Sequence, residues 1–143
     1  MTKIGKYLNR EILIRSLKNN SSIEIMEDLS KSMVMIVCSK KTKETEIDRF
    51  LSEVVKLNPL AIFLAEEAVS RIDHLFHLLA IEKTNHVMTY FCENMDEAAE
   101  MLLISSWPAE ERFDNWSNYI VYLLDTGISK REVIRFFKPY LDK

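Results

Sequence analysis

The chain has only two glycines in 143 residues, Gly5 and Gly127. A backbone that cradles phosphate needs glycine for close approach, and neither GxGxxG nor GxxxxGK[ST] occurs. The lysines of "CSKKTKET" beside a helix start suit phosphate, but that loop has no glycine. A Cys-x5-Arg phosphatase loop fails as well, because Glu44 stands six residues after Cys38. No serine sits in a GxSxG elbow. His74 and His77 are three apart without an HExxH pattern and read as a solvated pair, while His86 opens a strand and reads as structural. Cys38 and Cys92 each lie in an apolar run, as reduced buried thiols do, rather than in a CxxC site. No eighteen-residue apolar run exists, and "MTKIGKYLNREILIRSL" puts Arg10, Glu11 and Arg15 where a signal peptide needs an unbroken apolar stretch. A cytosolic protein with no membrane partner, no catalytic residue, no metal and no cofactor is expected.

What the chain does have is apolar content, 48% of its residues. A chain of this length buries about two-thirds of its unfolded surface, so residues 1–143 are expected to form one domain. The net charge of -3 is unevenly distributed. Lys3, Lys6, Arg10, Arg15 and Lys18 oppose Glu11 at the start. Glu93, Asp96, Glu97, Glu100, Glu110, Glu111 and Asp114 then oppose Arg112, and Lys130, Arg131, Arg135, Lys138 and Lys143 oppose Glu132 and Asp142. Such blocks are commonly solvated faces, and they also steer charged partners.

"MVMIVCS", "LAIFLA" and "HVMTYFC" are short continuous apolar runs of strand length, as buried parallel strands are. Between them fall two helical stripes. Ile47, Phe50, Leu51, Val54 and Val55 form one, with Thr45 and Asp48 spaced as a capping pair and Asn58-Pro59 as the stop. Val69, Ile72, Leu75, Phe76 and Leu79 form the other. Asn94 with Glu97 opens a third helix through Met101, Leu102 and Ile104. This alternation predicts an α/β domain, a three-layer sandwich around a small, mainly parallel sheet. Residues 3–18 fit a helix and a strand about equally. A hairpin over Glu11 to Met26, turning at "KNNSS", is preferred. "SNYIVYLLDTG" and "SKREVIRFFKPYL" predict a C-terminal helical pair, with Gly127 as a stop and Ser129 with Glu132 as a capping box.

Three classes of function follow. In an open parallel sheet, ligands bind beyond the carboxyl ends of the strands, which would put Lys40, Lys41, Glu66 and Glu93 nearest the chemistry of a small ligand-binding or hydrolytic domain. Glu66, Glu67, Glu93, Asp96 and Glu97 could also gather around a divalent cation there, although acids favour helix starts for dipole reasons alone. The tail "LLDTGISKREVIRFF" has the outline of a helix-turn-helix, with Lys130, Arg131, Arg135 and Lys138 as phosphate contacts of a DNA-binding regulator. Its apolar Val133, Ile134, Phe136 and Phe137, and the negative net charge, argue for a core helix and against nucleic acid.

The third class is a protein-binding domain. The order "LAIFLAE", a helix, "HVMTYFCENMDEAAEML", then "WPAEERFDNWSNYIVYL", Leu60 to Tyr122, resembles a family of small uncharacterised bacterial α/β domains. The match covers less than half the chain and implies no activity. In type the chain is similar to immunity proteins of toxin systems, which implies a stoichiometric inhibitor of a cognate protein toxin. Toxic nucleases present basic clefts, and an acidic surface with aromatic anchors fills one: charge raises the association rate and buried aromatics hold the complex. The candidate residues are Glu93, Asp96, Glu97, Glu110, Glu111 and Asp114 for charge, with Trp107 and Trp116 as anchors. In "SSWPAEERFDNWSNY", Pro108 suits a first helical turn and Ser106 its cap, so Trp107 is expected at a junction. Trp116, Tyr119, Ile120 and Leu123 recur at helical spacing, which favours Trp116 as core.

Overall fold

The computed structural model describes residues 2–17, 28–38, 42–66, 80, 87–92, 94–124 and 129–143. Among these, six strands make one sheet: β1 (Thr2–Tyr7), β2 (Arg10–Leu17), β3 (Ser32–Cys38), β4 (Ala61–Glu66), β5 (Met88–Cys92) and β6 (Asn118–Leu124). Their spatial order is β1-β2-β6-β3-β4-β5, and every pairing is parallel except β1 with β2. The helices among the described residues are α1 (Glu44–Lys56), α2 (Met95–Glu100) and α3 (Lys130–Phe137). The α/β architecture read from the alternating runs is the observed one.

The parallel strands are continuous apolar runs because both faces are covered. Successive side chains point to opposite faces, so β3 sends Met33, Met35 and Val37 one way and Val34, Ile36 and Cys38 the other. Ile47, Phe50, Leu51 and Val54 of α1 cover the second face. Ala98 and Ala99 of α2, and Val133 and Phe137 of α3, cover the first. The step from β3 through α1 moves along the sheet toward β5, whereas α2 leads back from β5 across two strands to β6. Crossovers of one hand taken in opposite directions lay their helices on opposite faces, as found.

Two expected elements differ. Asn118–Leu124 is not the first helix of a pair but a central strand, hydrogen-bonded between β2 and β3. An apolar run of seven residues fits either period, and burial on both faces selects the strand. The helix-turn-helix outline therefore has no first helix. At the other end, "EILIRSL" is a strand, but its antiparallel partner is Thr2–Tyr7 and its other side is taken by β6. Both sides of β2 are thus occupied; "SIEIM" lies outside the described residues together with "KNNSS", Gly127 and the second helical stripe, Val69 to Leu79.

Local signals fared unevenly. Asn94 caps α2 by accepting the Asp96 amide, 2.9 Å, and Ser129 Oγ accepts the Glu132 amide of α3, 3.2 Å. Helix α1 instead starts at Glu44 with Lys43 at its cap and no side-chain bond, which leaves Thr45 inside the first turn. Its end is as expected: Asn58 takes a left-handed φ of 53° ahead of Pro59.

The β1–β2 hairpin turns through Leu8 and Asn9, both left-handed at φ 48° and 67°, as a two-residue loop matched to strand twist requires. A leucine there costs about 1–2 kcal/mol. The turn is clamped from the far end of the chain: the Asp142 carboxylate accepts the amides of Leu8, 2.9 Å, and Asn9, 2.8 Å. The Asp142 amide donates to Lys6 O, 2.7 Å, and Leu141 packs over Gly5, where φ is +152° and an added Cβ would lie 3.0 Å from the Leu141 methyls.

Candidate protein-binding surface

The segment from α2 to β6 is built by backbone satisfaction. After α2 the chain widens into a π-helical turn, Met101–Ser105, which the buried Ser106 hydroxyl closes by donating to Met101 O, 2.9 Å. Ser106 thus looks back to the preceding helix and does not cap the turn at Pro108. Trp107 is fixed by one side chain: the Tyr90 hydroxyl of β5 donates to Trp107 O, 2.8 Å, and accepts Trp107 N–H, 2.9 Å. A 3-10 turn, Glu110–Asn115, follows.

Arg112, the base among these acids, faces inward. Its guanidinium donates to Pro59 O, 2.7 Å, and Asn58 O, 2.6 Å, tying the 3-10 turn to the loop ahead of β4. Desolvation there lowers its pKa, with Glu111 pulling the other way. Glu110, Glu111 and Asp114 are exposed, and among the described residues no ion pair engages them. The outward charge of the turn is therefore negative.

Beneath the turn lies Trp116, 7% exposed. Trp107, Phe113 and Tyr119 each meet it edge-on, with centroids 6.3, 5.5 and 5.5 Å away. The Arg10 guanidinium sits 3.8 Å from the Trp116 ring centroid and 5.8 Å from that of Phe113, while Arg10 Nε donates to Trp116 O, 3.2 Å. Trp116 Nε1 and Tyr119 Oη are buried without a hydrogen-bond partner among the described residues, and burial pushes the Tyr119 phenol well above its ordinary range. Trp107, by contrast, is 52% exposed, and Phe113 is exposed beside it.

The acidic residues that are neighbours in sequence are not neighbours in space. Asp96 and Glu97 start α2, just past the carboxyl end of β5, and are exposed where the helix dipole favours them. Helix α2 and its π turn carry the chain back along the sheet by about 15 Å before Glu110, Glu111 and Asp114 appear ahead of β6. Trp107, Glu110, Glu111 and Asp114 therefore share one end of the domain, with Trp116 under them, while Asp96 and Glu97 lie toward the other. Glu93 is outside the described residues.

At that other end stand the strand-end loops. Lys40, Lys41, Glu67, His74, His77, His86 and the Glu66 side chain lie outside the described residues. The buried Thr42 hydroxyl donates to Leu124 O, 3.0 Å, bridging the exits of β3 and β6. The paths leaving these adjacent strands part to opposite faces, so the topological switch point lies between them. Reading β6 as a helix hid that. Among the described residues no three His, Cys, Asp or Glu side chains could hold a metal ion, and no helix is long and apolar enough to cross a membrane.

Arg10, Tyr90, Arg112 and Phe113 were missed as parts of the aromatic end. Of these, Arg112 and Phe113 lie between Trp107 and Trp116 and carried a local signal; Arg10 and Tyr90 carried none. Comparison with protein-family models, with curated proteins and with solved structures finds no match to this chain.

Proposed function

We propose that this chain is a non-enzymatic protein-binding domain of the bacterial cytoplasm that neutralises a basic toxin domain by stoichiometric contact. One observation supports this most directly. Glu110, Glu111 and Asp114, exposed and without an ion pair among the described residues, share one turn with exposed Phe113 and follow exposed Trp107 closely in the chain; Arg112 ties the turn down and Tyr90 fixes the Trp107 backbone. Complementary charge speeds encounter with a basic cleft, and pre-positioned aromatic rings supply contact at little entropic cost.

The reading calls for a toxin encoded beside this gene, inhibited at a one-to-one ratio. The variant Glu110→Gln/Glu111→Gln/Asp114→Asn should slow association, with the loss largest at low salt. Equal association rates for the two proteins at both low and moderate salt would defeat the electrostatic part. Inhibition at far below one equivalent would point to an enzyme instead.

A further inference from the structure

The exposed large apolar side chains of the described residues are Leu8, Leu57, Ile104, Trp107 and Phe113. They come from four parts of the sequence, yet the topology gathers them. Glu11 pairs with Asn118, Asn118 with Ser32, Met33 with Ala61 and Ala61 with Met88, so the parallel strands start flush. Leu8 is in the turn before β2, Leu57 comes shortly before β4, and Phe113 precedes β6. Ile104 and Trp107 follow the helix that returns from the far end of β5. All five thus stand at the amino edge of the sheet, opposite the switch-point crevice. Specific contacts join them: Arg10, two residues from Leu8, lies against Trp116 and Phe113, and Arg112 reaches the carbonyl of Asn58, next to Leu57.

Leu8 is the member that folding explains least. It is 62% exposed, so burial gains little from it, and it sits in a left-handed conformation that asparagine would adopt with less strain. A strained, outward-pointing leucine, clamped by Asp142, is an apolar knob held ready for contact.

We infer that this amino edge is one composite docking surface, with Leu8, Phe113 and Trp107 as apolar anchors and Glu110, Glu111 and Asp114 as an acidic rim. Its occupant is a protein surface bearing an aliphatic or aromatic side chain flanked by lysine or arginine. The inference rests on the protein-binding function proposed above and adds the hairpin, a hundred residues away in sequence. Charge selects the occupant: the carboxylates of the rim point outward, while Arg10 and Arg112 are engaged by ring and carbonyl groups. Exposed apolar groups with a charged rim have the anatomy of an interaction site.

The test selects a random-peptide phage library on the immobilised wild-type protein and measures the recovered peptides against Leu8→Asn and Trp107→Ser. Asparagine suits the left-handed turn, so Leu8→Asn should melt no lower than wild type while removing the knob. The expected peptides combine lysine or arginine with an aromatic or aliphatic residue, and each variant binds them about tenfold or more weakly. Unchanged binding by Leu8→Asn, recovery of acidic peptides, or no enrichment at all would overturn the inference. So would a wild-type dimer in light scattering that Leu8→Asn abolishes, because the occupant would then be a second copy. If Leu8→Asn still inhibits the toxin normally but the three-amide variant does not, only the composite surface fails. If neither substitution affects inhibition, the electrostatic part of the proposed function fails with it; the function itself fails if the wild-type protein leaves the toxin active.

Discussion

Replacing Asp142 by alanine should loosen a hairpin 133 residues away in sequence. The carboxylate accepts two successive amides, at 2.9 and 2.8 Å, in a turn whose Leu8 and Asn9 are both left-handed. Water can reach these amides once the carboxylate is gone, so each bond is worth less than a buried charge-assisted contact and about the low end of an ordinary hydrogen bond, about 1–2 kcal/mol for the pair. Unfolding entropy of about 2.1 cal/mol/K per residue over 143 residues gives about 0.3 kcal/mol/K, and hence a fall in Tm of about 3–7 °C. Thermal unfolding followed by circular dichroism in matched buffer measures this. Asp142→Asn keeps one acceptor oxygen and should fall between the alanine variant and the parent. A shift below about 1 °C for Asp142→Ala would show that the turn holds without its clamp, and the account of how Leu8 is positioned would be abandoned.

Tyr119→Phe removes a buried hydroxyl that has no partner among the described residues, so stability should stay level or rise by up to about 1 kcal/mol in denaturant titration; a clear loss would reveal a partner elsewhere. Because burial raises the folded-state pKa of Tyr119, the neutral phenol's contribution is fully present below the unfolded value of about 10 and is lost as pH rises above it; Tyr119→Phe should flatten that alkaline decline. Trp116→Ala should cost about 3–5 kcal/mol and Trp107→Ala about 1, with Trp107 the ring that acrylamide quenches; similar losses from both would contradict the burial contrast. Gly5→Ala meets both an unfavourable φ and the Leu141 methyls, and should destabilise by about 1–3 kcal/mol in the same titration.

The strands with both faces covered were readable because their runs are too short and too β-branched to be helices. β6 was the exception: Trp116, Tyr119, Ile120 and Leu123 match a helical stripe, and only the β-branched and aromatic content of "YIVYLL" argued for a strand. The hairpin was displaced because its turn contains neither Gly nor Pro. Leu8-Asn9 does not announce itself locally, and the carboxylate that makes it tenable is Asp142. The candidate surface shows the same division. Trp107 and the acids of the 3-10 turn were visible as composition, whereas Arg10, Tyr90 and Leu8 join it through strand register, which a linear pattern does not encode. Register also separated Asp96 and Glu97 from Glu110, Glu111 and Asp114, which a charge count treats as one block.

The position of β6 also constrains the order of assembly. β2 and β3 both pair with β6 and with no intervening strand, so the amino-terminal hairpin has no place on the sheet until residues 118–124 leave the ribosome. Five of the six strands are synthesised before the one that joins them. Folding must wait for this late closure of distant segments, which makes it slow, and the half-formed sheet exposes two unpaired inner edges while it waits.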